Sequence, residues 1–292
     1  MKKVLTLLKS IFIFIVGLLL LCCDNTKDLN EPELPDVPEL PEVDLYTLNE
    51  LPCGCPDEWT LEEIDYKREL PWNYPIKPGT DEWVELQFGE LGGLETALKI
   101  PDSILGSLST EDLVAIIILH PLLPSVINSD FFEIGLDNGF SSLNGIGELF
   151  QREDGLEELL KHYKYMTQNW SSLYGVVLYP YLTVLTLELI LSRYQSPDAS
   201  NKDNYTKIVK YLLCGLEKQI LYEQTNNNEV ILFNYKSNFY SRAIILMKID
   251  EQNLEKIPDG INNRLFLKEH WLYEPALQAI GELTCKYIYN NQ

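Results

Sequence analysis

Residues 108–121, LSTEDLVAIIILHP, constrain the fold more than any other stretch of this chain. Every position from 113 to 119 is apolar. A helix built from them has no polar face and has to be enclosed by other elements. Ser109 is a candidate N-cap, Asp112 falls near the third helical position, and Pro121 ends the helix. Enclosing partners are legible downstream. EDGLEELLKHYKYM (153–166) sets Leu156, Leu159, Leu160 and Tyr163 at helical spacing, and YTKIVKYLLCGLEKQI (205–220) sets Ile208, Leu212, Leu216 and Ile220 four apart. FYSRAIILMKI (239–249) and EPALQAIGELTCKYIY (274–289) predict two more helices, the second with proline in its first turn after Glu274. YLTVLTLELILSRY (181–194) alternates at Leu182, Val184, Thr186 and Glu188 as a strand would, but its length predicts a helix. NEVILFNY (228–235) is the best strand candidate. The expected fold class is all-α, an irregular stack of helical hairpins with a small β-hairpin at most, preceded by a disordered proline-rich stalk. No clean repeat at a period of roughly 33–47 residues indicates a regular solenoid.

The N-terminus predicts where the chain lives. Lys2, Lys3 and Lys9 precede an uncharged run from 11 to 21, the layout of a secretory signal peptide. A permanent span needs roughly 20 apolar residues, more than lie between Lys9 and Asp24. The run ends in LLLLCCDN (18–25), which resembles the lipobox of bacterial lipoproteins. That resemblance implies cleavage before a cysteine, a diacylglyceryl thioether on its thiol and an acylated (palmitate-type) amino terminus. Cys23 is the expected acceptor, because Cys22 then supplies the small residue at the cleavage site; Cys22 is the alternative. Two or three acyl chains anchor firmly at about 0.8 kcal/mol per buried methylene. The expected location is the bacterial outer membrane, lipid-anchored, on the periplasmic side or at the surface.

Residues 32–43 repeat a proline-acid-aliphatic tripeptide four times, PEL PDV PEL PEV. Polyproline II has about three residues per turn, so Pro32, Pro35, Pro38 and Pro41 line one edge and the acids another. Such a segment is a semi-rigid spacer, or alternatively a ligand for an aromatic groove. The predicted organisation is a signal peptide over 1–22, an acidic tether over 23–50, an irregular lead-in over 51–99 that packs Trp59, Trp72 and Trp83 on the body, and a helical domain over 100–292. Formal charge is −21, and removal of the three leader lysines takes it to about −24 (−21 − 3). A surface of that sign excludes nucleic acid as a partner.

IPDSILGSLSTEDLV, HPLL, NGIGELFQREDGLEELLKHY and SRAIILMKI together resemble a group of uncharacterised α-helical, secreted or lipid-anchored proteins of the Bacteroidetes. The resemblance runs from about Ile100 to the C-terminus. It implies an α-helical body in the cell envelope and no particular activity. CDNTKDLNE after the acceptor cysteine resembles the acidic export signal of surface lipoproteins in that phylum.

No catalytic motif stands out. The chain lacks HExxH, a Walker loop and a Gly-x-Ser-x-Gly elbow. Of the three histidines, His120 reads as a hydrogen-bonded helix-end residue and His162 as part of a solvated helix face among lysines. In KEHWLYE (268–274), His270 and Glu274 stand one helical turn apart and form a candidate proton-transfer or metal pair. Cys53 and Cys55 in CGC form disulfides with Cys214 or Cys285, bind a soft metal with them, or remain thiols. Asp102 after Pro101 suits a helix N-cap. No catalytic residue, cofactor or metal is expected. The expected role is binding or scaffolding, with an envelope protein or glycan as partner and the membrane reached through the N-terminal lipid. The alternative is a carboxylate-based hydrolase of glycan or peptide.

Overall fold

The computed structural model describes residues 55, 62–88, 93–123, 143–177, 179–195, 202–226, 235–250, 252–253 and 274–289, all within one unit, Val43–Gln292. The signal peptide, the tether, Trp59, the strand candidate up to 234 and His270 lie outside the described residues. The helices are α1 (Asp81–Phe88), α2 (Gly93–Ala97), α3 (Asp102–Leu105), α4 (Thr110–Ile118), α5 (Asn144–Gln151), α6 (Gly155–Asn169), α7 (Pro180–Arg193), α8 (Lys202–Asn226), α9 (Tyr235–Ile249) and α10 (Glu274–Tyr289), with a 3-10 turn at Trp170–Leu173 before α7. Among the described residues there is no β-strand, only an isolated bridge between Tyr174 and Val177. The body is all-α.

Helix α7 is the axis of the bundle. It begins at Pro180, whose fixed φ suits the first helical position, after Tyr179 in a left-handed conformation at φ 52°. Eleven of its fourteen residues are buried. The strand-like alternation of this segment is overridden because all its faces meet other helices. Helix α9 packs on α7, α8 and α10, while α6 packs on α4, α7 and α8. Helix α4 is enclosed in the same way, with Leu113 through Ile118 all buried against the common core. Ser109 caps it as its sequence predicts, Oγ accepting from the Asp112 amide at 3.1 Å.

Two details differ from the sequence expectations. The N-cap of α3 is Pro101, so Asp102 is the first helical residue and its charge meets the helix dipole instead of closing a cap. The lead-in is not wholly irregular, since it contains α1 and α2. Among the described residues its buried anchors are the aliphatics Ile64, Leu70, Ile76, Leu94 and Leu98 and two tyrosines. Tyr66 and Tyr74 are buried, whereas Trp72 and Trp83 pack on the core only partly buried. Tyr74 donates to the Ile116 carbonyl at 3.1 Å and meets His120 edge-on at 4.6 Å. A tyrosine buries a ring and still satisfies a buried polar group.

The α5–α6 corner is fixed by close backbone contact. Arg152 donates to the carbonyls of Leu108 and Leu105 at 2.7 and 3.0 Å, tying this corner to the start of α4. A Cβ on Gly155 would collide with the Leu149 carbonyl oxygen, a backbone atom that cannot step aside. Gly147, in α5, has open space around it. Gly155→Ala is therefore expected to cost about 2 kcal/mol or more in chemical denaturation. Gly147→Ala should be neutral or stabilising by up to about 1 kcal/mol. Equal effects at the two sites would remove the corner contact from the account.

Candidate functional site

The bundle closes around a carboxylate. Glu188 of α7 is fully buried, flanked in sequence by leucines on both sides. Its Oε1 accepts from the Tyr163 hydroxyl, Gln219 Nε2 and Asn238 Nδ2, each at 2.9 Å, and its Oε2 accepts from the Ser237 hydroxyl. The donors come from α6, α8 and α9, so one side chain joins four helices. Burial pushes the Glu188 carboxyl up, and the bonds from Asn238, Ser237, Gln219 and Tyr163 oppose that shift. Tyr163 reaches the carboxylate by lying against α8 at Gly215, where any Cβ would occupy the position of the phenol oxygen. Burial first, and then the nearby Glu188 charge, pushes the Tyr163 hydroxyl up and keeps it a donor.

Beside this network lies Arg242 of α9, also fully buried. Its guanidinium stacks over the Phe239 ring, with Cζ 4.4 Å from the centroid. Among the described residues none of its three nitrogens has a hydrogen-bond partner. The Gln219 and Asn238 amide oxygens and the Ser241 hydroxyl are likewise buried without a partner among the described residues. Burial lowers the Arg242 pKa to about 10, against the field of Glu188, so the group remains a cation at neutral pH.

The sequence-predicted candidates are dispersed. Cys55 is bonded to Cys214, with Cα atoms 4.8 Å apart and a sequence separation of 159. The Cys55 amide also donates to Glu217 at 3.0 Å, one turn along α8 from Cys214. Cys285 is disulfide-bonded as well. These bonds decide among the alternatives left open for the cysteines, and Cys55, Cys214 and Cys285 are neither free thiols nor metal ligands. Cys53 and His270 are outside the described residues, and Glu274 is the first residue of α10. Among the described residues no group of His, Cys, Asp and Glu is placed to hold a metal ion. His162 is not on a solvated face: it is fully buried, and its Nδ1 pairs with the Tyr66 hydroxyl at 2.7 Å. The sequence of α6 alone hid this, because the partner that covers it is 96 residues away. Glu188 and Arg242 were missed for the same reason. Their visible signal was a single acid within LTLELIL and a single base within SRAIIL, opposite charges in two otherwise apolar runs.

No protein-family model, curated protein or solved structure matches this chain. Its chemistry is read from its own side chains.

The two described histidines give the fold an acid limit. Burial lowers His120 and His162 to about 3, with Lys161 and Arg68 adding to the effect at His162. Unfolded histidines titrate near 6.5, so the unfolded chain binds more protons below that pH. Stability from these groups is complete above about pH 6.5 and falls toward pH 3, by roughly 1.4 kcal/mol per pH unit for each histidine. Urea midpoints measured from pH 7 to pH 5 should show this decline. His162→Gln, which does not titrate, should reduce the slope by about half; an unchanged slope would place the proton uptake elsewhere.

Proposed function

We propose that this chain is an exported protein of the bacterial cell envelope, held by lipid at Cys23, that works by binding or scaffolding. The observation that carries this reading is the Cys55–Cys214 disulfide. Protein disulfides persist in oxidising compartments and are uncommon in the cytosol. The bond also has a mechanical role suited to a tethered protein. It joins residue 55, close to the expected stalk, to the interior of α8, so force on the anchor passes into the core. In the chain-entropy picture a loop of this length contributes on the order of 3–5 kcal/mol. The leader over 1–22, LLLLCCDN and the fourfold proline repeat supply the rest of the reading. Among the described residues no helix is long and apolar enough to cross a membrane, which is compatible with attachment by lipid.

Among the described residues the one carboxylate that the core encloses, Glu188, is not available to a carboxylate hydrolase. Hydrolysis at a glycosidic bond requires two carboxyl groups facing the bond, one of them free to give or take a proton. Glu188 Oε1 already accepts three hydrogen bonds inside the core.

Mass spectrometry of the membrane fraction should find a diacylglyceryl-modified, acylated cysteine at position 23. An unmodified terminus beginning at Met1 would defeat the lipid reading. Non-reducing peptide maps should contain a Cys55–Cys214 crosslink, and Cys214→Ser should lower stability by about 2–5 kcal/mol. A crosslink absent from protein isolated without reductant would remove the support for export.

A further inference from the structure

Arg242 has a charge and five N–H donors in the middle of the bundle, and among the described residues none of its nitrogens is hydrogen-bonded. A guanidinium stays protonated under these conditions, so loss of its charge does not relieve the cost of burial. Glu188 is the nearby carboxylate whose field acts on it, yet it is not its hydrogen-bond partner. Four donors from other side chains already occupy Glu188, three of them on one oxygen. The charges are balanced, but the guanidinium's hydrogen bonds are unmade. The cost of leaving buried charged donors unpaired is several kcal/mol, more than a marginally stable body tolerates without compensation.

We infer that Arg242 anchors an internal site for a small carboxylate, which docks in the bidentate manner that a guanidinium fork favours. The inference rests on the binding role proposed above and specifies its ligand chemistry. A planar two-oxygen acceptor matches the fork geometrically, whereas a spherical halide meets one or two of its donors. Arg242 is held for this task by its stacking on Phe239, which fixes the plane of the guanidinium without using a donor. The amide oxygens of Gln219 and Asn238, whose NH2 groups bond Glu188, have no donor among the described residues. They suit a ligand that carries an amine beside its carboxylate. A zwitterion of that kind adds no net charge to an interior where Glu188 and Arg242 already balance.

The test uses the full chain in detergent with disulfides intact. It is unfolded and refolded in buffers of equal ionic strength containing chloride, acetate or glycine, so that a buried site is loaded during folding. Native mass spectrometry and thermal melting then report binding. The expected result is a single bound carboxylate and a melting temperature about 5 °C higher at saturation than in chloride, for acetate, glycine or both. A response to glycine beyond that to acetate assigns the amine to the Gln219 and Asn238 oxygens. Arg242→Met should fold and show neither adduct nor shift, and Arg242→Lys should bind at least tenfold more weakly because the fork is lost. If Arg242→Met does not fold, Glu188→Gln with Arg242→Met removes both charges together and carries the same comparison. Equal melting in all three buffers with no adduct overturns the inference and leaves a hydrated guanidinium only. A shift that survives Arg242→Met also overturns it. None of these outcomes depends on lipidation or on the crosslink, so the export reading stands or falls separately.

Discussion

The interaction on which the body depends is the burial of one carboxylate in a helix that has no outside. Helix α7 is covered on nearly all sides, so Glu188 has no route to water and has to be satisfied by protein. Its partners are drawn from three other helices, Tyr163 on α6, Gln219 on α8, and Ser237 and Asn238 on α9. Apolar packing alone is tolerant of rotation and sliding. A carboxylate that requires four donors from fixed directions is not, since a slipped helix leaves a buried charge unpaired. The network therefore sets the register of α6, α8 and α9 around α7.

The same logic is repeated at lower cost around the periphery. Thr183 and Ser192 on α7 donate their hydroxyls to the nearby carbonyls of Tyr179 and Leu189, and Thr186 donates to the Leu182 carbonyl at 2.9 Å with the Leu123 carbonyl also within reach at 3.3 Å. Lys248 on α9 donates to the carbonyls of Ser192 and Tyr194 at 2.8 and 2.7 Å, closing the C-terminal end of α7. The lead-in is held by Tyr66 on His162, Tyr74 on Ile116 and the Cys55–Cys214 bond. Each of these ties a segment near the N-terminus to a helix of the core. Several polar atoms of the core lack a hydrogen-bond partner among the described residues, and Arg242 differs from the amide, hydroxyl and imidazole groups among them in carrying a charge, which makes its burial more costly.

Helix identity was legible in residue pattern. The apolar run at 113–119, the Ser109 cap, the proline in the first turn of α10 and the four-residue spacing in α8 all act through local geometry, and local geometry is written in neighbouring residues. The candidate site was not legible. KEHWLYE and CGC attracted attention because reactive residue types stood close together in the chain. The buried cluster is instead assembled from residues 163, 188, 219, 237, 238 and 242, which are scattered along the chain, and only the lone charges at 188 and 242 stand out among their neighbours. His162 shows the same limit from the other side. Lysines on its own helix suggested solvent, and only the distant Tyr66 shows that it is covered.

By itself the sequence determined that the body is helical, because periodicity, caps and proline positions fix backbone conformation over a few residues. Its cysteines allowed several pairings, and its charges allowed any of them to be exposed. Tertiary structure decided which acid and which base are sealed in the core and that Cys55 meets Cys214. Those outcomes depend on which faces meet after the helices pack, a condition set by contacts between residues tens to more than a hundred positions apart.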